Sequence, residues 1–327
     1  MNKLIITKTP LRISFFGGGT DMATFYKKHG GAVIGSAIQK YVYVIINERF
    51  ESDVRASYSK TEIVKNAQQI KNDLIRESLL FFKKYNKLEI VTIADVPGSG
   101  TGLGSSSSTL VGLLNAIGEY SNISLTKKKM AENACDIEIK KLSNPIGKQD
   151  QYFATYGNLS YLQFKENGNV TVKKIKISKN TKRDLEKNII CFYTGFSRTG
   201  SKILQHQSQK SSKNESILLE IKNQAEEGKR ILEKGDLSKF GEMLNEGWEL
   251  KKKLSNKITN SKIDNYYKKA INAGAIGGKI NGAGGGGFLT FYCEPKNQLK
   301  VRNSLKSLKE LDFKIEENGS RRFFSDK

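Results

Sequence analysis

The sequence predicts an α+β protein with helices packed on sheets. Three observations carry this. The first third is rich in strand-like alternation broken by turns, the second half holds long stretches with helical apolar spacing, and no internal repeat is present. In order, "NKLIITKTPLRISFFGGGTD" (2–21) has alternating stretches closed by a glycine turn. "GAVIGSAIQKYVYVIINERF" (31–50), enriched in β-branched and aromatic residues, predicts a pair of strands. A helix is expected over 65–86, with Ile70, Leu74, Leu79 and Phe82 near one face. "LEIVTIAD" (88–95) predicts a strand, and Leu110, Leu113, Leu114 and Ile117 predict a helix after the intervening loop. A second helix follows over 126–142 with Thr126 as its N-cap. Residues 143–157 make a turn into a short helix, and 158–177 a hairpin turning at Asn167-Gly168.

The polar run "NTKRDLEK" (180–187) marks an expected boundary, dividing the chain into 1–185 and 186–327. The second part opens with a strand, "NIICFYTG" (188–195), and continues with helical stretches from 201, over 214–235 and over 237–254. A last helix over 263–274 leads into "AIGGKINGAGGGGFLTFYC" (275–293), where a strand follows the glycine run directly.

Composition narrows the function. The 327 residues include 37% apolar and 9% aromatic residues, enough for a packed core rather than a disordered chain. No apolar run reaches the length of a membrane span, and the short apolar patch in "MNKLIITKTPLR" falls short of a signal-peptide core, so no membrane partner is expected and the cytoplasm is the expected compartment. Cys135, Cys191 and Cys293 are odd in number and far apart, which argues against disulfides and a zinc site. The net charge of +22 raises nucleic-acid binding as a class. The lysines are spread along the chain in small groups such as 127–129 and 251–253, as on solvated helix faces, and no RNA- or DNA-binding motif is present, so no nucleic-acid partner is expected.

The stretch "PGSGTGLGSSSS" (97–108) carries the most chemistry. It holds four glycines and six hydroxyl residues between a strand and the start of an apolar helix. Free N–H groups and the positive end of the helix dipole face such a loop, and glycine lets the backbone approach a ligand closely, which suits a phosphate. The known signatures do not fit: no lysine follows Gly104 as in a P-loop, and the spacing of Gly98, Gly100, Gly102 and Gly104 is not the dinucleotide fingerprint.

With "PLRISFFGGGTD" (10–21) before it and "KINGAGGGGF" (279–288) after it, this loop makes an ordered set of three motifs that resembles the GHMP kinases over nearly the whole chain. The resemblance implies a two-domain fold: an N-terminal domain like ribosomal protein S5 domain 2 and a ferredoxin-like C-terminal domain, with ATP in the cleft between them. It implies that Gly100, Thr101, Gly102, Leu103, Gly104, Ser105, Ser106, Ser107 and Ser108 wrap the ATP phosphates. It implies that Ser106 and Glu138 share Mg²⁺, an ion that takes few protein ligands. Asp150 matches the family's catalytic base, and Arg12 a basic residue beside it that steadies charge on the transferring phosphoryl group. Gly282, Gly284, Gly285 and Gly286 form the third, structural loop.

On the acceptor side, Asp21 matches an aspartate that binds sugar hydroxyls in galactokinases, whereas Gly18 and Gly19 replace an acid and a histidine and open space. The triple glycine followed by Thr20 and Asp21, together with "YTGFSRTGSKIL" (193–204), resembles a branch of sugar 1-kinases whose acceptors include a seven-carbon sugar 7-phosphate and L-fucose. Ser197 and Arg198 then stand before a helix, where the arginine suits a phosphate already on the acceptor. The expected activity is phosphorylation of the anomeric hydroxyl of that sugar phosphate, a step toward nucleotide-activated heptose for surface polysaccharide. The alternatives are a fucose-type kinase acting on an unphosphorylated sugar and, from another class, a basic nucleic-acid-binding protein with an inactive kinase fold. The sequence selects neither monomer nor homodimer.

Overall fold

The computed structural model describes residues 4–98, 100–196, 203 and 214–325. Strand β1 (Ile5–Phe16) is buried at every position from Thr9 to Phe16, so both of its faces are covered. Its partner β2 (Gly31–Glu48) is one strand of 18 residues, where the sequence predicts two. The stretch has no turn dipeptide, and a bulge does the work instead: Pro10 pairs with Tyr41 and Leu11 with Ile38, leaving Gln39 and Lys40 outside the ladder. Beyond the bulge the strand changes neighbours. Residues 31–36 pair with β6 (Leu159–Phe164), and 42–48 with β5 (Leu88–Ala94).

The first sheet has eight strands. β3 (Val54–Ser57) lies parallel to β5 and antiparallel to β4 (Thr61–Val64). β7 (Val170–Lys174) forms the expected hairpin with β6, and Gly168 takes φ 86° in its turn. The last strand, β12 (Arg321–Ser325), returns to pair with β1. The second sheet, in the order β11–β8–β10–β9, is built from β8 (Ile189–Tyr193), β9 (Gly277–Ile280), β10 (Phe288–Tyr292) and β11 (Lys309–Leu311). It buries Ile190, Phe192, Leu289 and Phe291 in a core shared with Trp248 and Tyr267.

Helices cover the sheets. α1 (Ala23–His29) is short; α2 (Asp73–Phe81) is shorter than the helix expected over 65–86. Two asparagines divide that segment: Asn66 caps a single 3₁₀ turn at Ala67–Gln69 and Asn72 caps α2, each accepting a backbone N–H that a continuous helix would need internally. α3 (Ser105–Tyr120) is apolar on nearly all sides and lies under β1 and β2. Thr126 caps α4 (Lys127–Cys135) as expected, and the chain then widens into a π-helical turn, Asp136–Lys141, in which Leu142 N–H reaches Ile137 O. α5 (Gln149–Tyr156) follows, then α6 (Lys179–Asn188). In the second half come α7 (Glu215–Lys234), α8 (Leu237–Leu254), α9 (Ser261–Asn272) and α10 (Pro295–Ser304). Gly235 closes α7 in the left-handed region, and Asp236 caps α8. The helical stretch expected from 201 lies outside the described residues except for Ile203. Among the described residues no helix is long and apolar enough to cross a membrane. The three cysteines are buried and free.

The two sheets meet through glycine backbone. The loop before α3 and the loop between β9 and β10 touch directly: Phe288 N–H donates to Thr101 O at 3.1 Å, and a methyl group on Gly102 would stand 2.4 Å from Asn281 O. A methyl on Gly282 would stand 2.6 Å from Gly102 Cα. Both glycines also take positive φ, 76° and 63°. Gly102→Ala and Gly282→Ala are therefore each expected to cost about 2 kcal/mol or more in urea unfolding. Gly98→Ala, whose methyl meets nothing within 4 Å, is expected to stay within about 0.5 kcal/mol of the parent. Equal midpoints for all three variants would contradict a close-packed loop contact.

Candidate active site

A cavity of about 260 Å³ opens where these loops meet, with Arg12, Asp21, Ser106, Asp150, Lys251 and Lys279 in its walls. One wall is the start of α3. Gly104, at φ 76°, is the residue before the helix, and the first helical bond runs from Ser108 N–H to Gly104 O. The N–H groups of Ser105, Ser106 and Ser107 therefore have no partner inside the helix, and they sit at its positive end. The phosphate loop expected over 100–108 is thus shorter than the motif: it ends at Gly104, and the four serines are the first turn of α3. Their hydroxyls separate accordingly. Ser106 lines the cavity, while Ser108 Oγ donates to Pro10 O at 2.8 Å and Ser107 Oγ to Glu138 at 2.7 Å. Ser107 and Ser108 are thus available to a ligand only through backbone, and Leu103 is fully buried, its carbonyl accepting from Arg12 N–H.

Glu138 sits in the π-helical turn, only 1% exposed. Its carboxylate accepts from Ser106 Oγ at 2.6 Å, Ser107 Oγ at 2.7 Å and Gln151 Nε2 at 2.7 Å. Burial pushes its pKa up, and the three hydrogen bonds oppose that shift. The structure thus brings Ser106 and Glu138 together. Their donor atoms are all oxygen, which suits a hard cation that completes its shell with phosphate oxygens and water. Among the described residues no group of three or more His, Cys, Asp or Glu is placed to hold a metal alone.

Arg12, on β1, and Asp150, in the first turn of α5, form a bidentate ion pair, Nε to Oδ1 at 2.8 Å and Nη2 to Oδ2 at 2.7 Å. Arg12 Nη1 also donates to Gly102 O, tying the pair to the phosphate loop. Arg12 is nearly inaccessible, whereas the Asp150 side chain keeps 22% of its surface at the cavity.

The glycine turn forms the opposite wall. Gly18, Gly19 and Asp21 line the cavity. Asp21 is buried and accepts from Gly19 N–H at 3.0 Å, Gln149 N–H at 3.2 Å and Gln149 Nε2 at 3.1 Å. Burial raises its pKa, with the charge of Asp150 adding to the shift. Thr20 departs from the expected substrate role. Its hydroxyl is buried, donates to the carbonyls of Gly17 and Ala32 and accepts Ala32 N–H, so it braces the turn and does not line the cavity. In the third loop, Gly282, Gly284 and Gly286 line the cavity, and Gly285 N–H donates to Ile258 O. Ser197 and Arg198 lie outside the described residues.

Four residues of this site escape the sequence reading. Gln151 and Gln149 support the two carboxylates. Lys279 Nζ donates to Phe15 O at 2.7 Å, and Lys251 Nζ donates to Ile280 O at 3.0 Å and Gly282 O at 2.6 Å. A signal was present for each glutamine, since both flank Asp150 in "GKQDQY". Lys279 opens the third glycine motif, and Lys251 stands in a lysine run that reads as solvated.

Comparison with known proteins identifies the family. The GHMP kinases N terminal domain matches residues 73–158, and the GHMP kinases C terminal matches residues 229–310. The chain is 32% identical over 324 residues to the D-glycero-alpha-D-manno-heptose 7-phosphate kinase of Campylobacter jejuni, covering 93% of this chain and 94% of that protein. It is 23% identical to the L-fucokinase/L-fucose-1-P guanylyltransferase of Bacteroides fragilis over 93% of this chain and 36% of that protein. A solved D-glycero-D-manno-heptose 1-phosphate kinase from Bacteroides thetaiotaomicron superposes with a TM-score of 0.81 at 26% identity, covering 99% of both chains. The galactokinase of Lactococcus lactis, at 17% identity and a TM-score of 0.78 over 98% of this chain and 95% of that one, shares the fold. Both halves of the family's architecture are matched, and a kinase aligns along nearly the whole length: the chain belongs to the GHMP kinases, ATP-dependent phosphotransferases that act on hydroxyl groups.

Proposed function

We propose that this chain transfers the γ-phosphoryl group of ATP to the anomeric hydroxyl of D-glycero-D-manno-heptose 7-phosphate, giving the 1,7-bisphosphate. The observation that carries the reading is the Arg12–Asp150 ion pair, fixed between the phosphate loop and the open glycine turn. Likeness to a heptose 7-phosphate kinase along almost the entire chain supports this acceptor. The Gly17–Gly19 turn supports it too, because it leaves space beside Asp21 for a large sugar.

In this reading the free N–H groups at the start of α3 hold the nucleotide phosphates. Ser106 and Glu138 hold Mg²⁺, which shields phosphate charge when bound. Asp21 and Gln149 orient the acceptor. The acceptor oxygen bonds to the γ-phosphorus as the bridging bond to the β-phosphate breaks, and Asp150 takes the acceptor proton. Arg12 positions Asp150 and offsets charge on the transferring group. ADP leaves with the bridging oxygen.

Three measurements test this. ADP release is measured with heptose 7-phosphate, mannose, fucose, galactose, mevalonate and homoserine as acceptors. Turnover confined to heptose 7-phosphate is expected, and turnover on a free sugar alone would sink the proposed acceptor. Asp150→Asn is expected to fold as the parent does and to lose roughly 10²–10⁴-fold in kcat. A variant near parental activity would remove Asp150 from the base role. Glu138→Gln is expected to raise the Mg²⁺ concentration for half-maximal rate about tenfold or more. An unchanged Mg²⁺ requirement would place the metal elsewhere.

A further inference from the structure

Two ammonium groups in the cavity wall have no part in the reaction derived above. Lys279 leaves β9 and is 7% exposed, with Nζ on Phe15 O. Lys251 leaves the last turn of α8, its side chain partly exposed and its Nζ on Ile280 O and Gly282 O. Among the described residues neither is paired with a carboxylate. The charges that act on them are those of each other and of Arg12 from β1, already taken by Asp150 of α5. Asp21 lines the opposite wall of the same cavity, held by Gln149 and Gly19. Burying a cation without a counter-ion is costly, and carbonyl oxygens offset only part of that cost. The missing negative charge is one that arrives with a ligand.

We propose that Lys251 and Lys279 form a cradle for a phosphoryl dianion, on the wall of the cavity formed by α8 and the third glycine loop. The proposal rests on the kinase reading, which supplies two sources of that anion: the nucleotide's terminal phosphate and a phosphate already carried by the acceptor. The electrostatics agree. Burial, and after it the charge of Arg12, brings the Lys279 pKa down to about 7. Burial, Lys279 and Arg12 together hold Lys251 well below the ordinary amine value. An anion in the cradle reverses these shifts, so its binding takes up a proton.

The test uses sulfate, which stays a dianion across neutral pH, titrated calorimetrically into the full chain. Sulfate is expected to bind one site and to weaken about tenfold or more from about pH 6 to about pH 8.5, as Lys279 loses its proton. Lys279→Met and Lys251→Met are each expected to weaken it about tenfold or more. Lys279→Arg, which stays charged, is expected to bind with a weaker pH trend, only the part that Lys251 contributes. Absent binding, or unchanged affinity in both methionine variants, would overturn the cradle. The same pH trend in Lys279→Arg would assign the titration to Lys251 and overturn the role of Lys279. Where a methionine variant fails to fold, the pH trend of the parent against Lys279→Arg decides. Repeating the titration with a saturating non-hydrolysable ATP analogue separates the sources. Sulfate displaced by the analogue places the nucleotide's phosphate in the cradle, and sulfate retained beside it places the acceptor's phosphate there. A cradle that binds sulfate in a chain inactive on heptose 7-phosphate sinks the acceptor reading alone. Turnover of heptose 7-phosphate with unchanged KM for both substrates in both methionine variants sinks the cradle alone.

Discussion

The contact between Gly102 and Gly282 is the constraint from which the site follows. Two backbones lie against each other with no room for a side chain between them. The loop before α3 is held on one side by Arg12 N–H to Leu103 O, from the first sheet, and on the other by Phe288 N–H to Thr101 O, from the second. The start of α3 is thereby fixed relative to both sheets at once. Donors aimed at a ligand contribute most when they need not reorganise to meet it. Here the aim of the helix is set by backbone packing and does not depend on the ligand.

Charge is distributed around that fixed helix end in a way that separates tasks. Glu138 is deep, fully hydrogen-bonded and close to the helix start. Asp150 is shallower and bound to Arg12. Asp21 is enclosed on the far wall by amide donors. Burial raises the pKa of Glu138 and Asp21, and in both the charge of Asp150 adds to it, so Asp150 repels each of the other two carboxylates. The net charge of +22 acts at longer range. Lysines such as Lys127, Lys128 and Lys129 are exposed on α4 and steer anions toward the molecule, but salt screens them within about 8 Å. Holding a ligand falls to the few cations inside.

Features governed by local chemistry were legible in the sequence. The Thr126 cap, the Asn167-Gly168 turn and the three glycine motifs are short-range signals, and each stands where the sequence puts it. Features governed by partners distant in the chain were not. The continuity of β2 depends on a bulge opposite Pro10 and Leu11, nearly thirty residues away, and on two different neighbours along its length. The break before α2 turns on Asn66 and Asn72 acting as caps, which helical periodicity alone overrides. Thr20 looks like a substrate ligand beside Asp21, but the backbone of β2 claims its hydroxyl. Gln149 and Gln151 are marked in the sequence only by flanking Asp150, and their roles appear only once Asp21 and Glu138 are brought against them.

Lys251 shows why the remainder was hidden. In "KKKL" it is chemically the same as Lys252 and Lys253, and a lysine run usually marks a solvated face. One residue is about 100° of helix rotation, so a single step turns the first lysine of the run toward the third glycine loop. That orientation also links stability to ligand. A lysine with a depressed native pKa binds fewer protons folded than unfolded. The empty fold therefore gains stability as pH rises from the native value, about 7 for Lys279, toward the unfolded value of about 10.4. Below that window the charged amines oppose folding until an anion joins them. Ligand binding then restores what the cavity withholds, and the same groups that weaken the empty site make it select for a dianion.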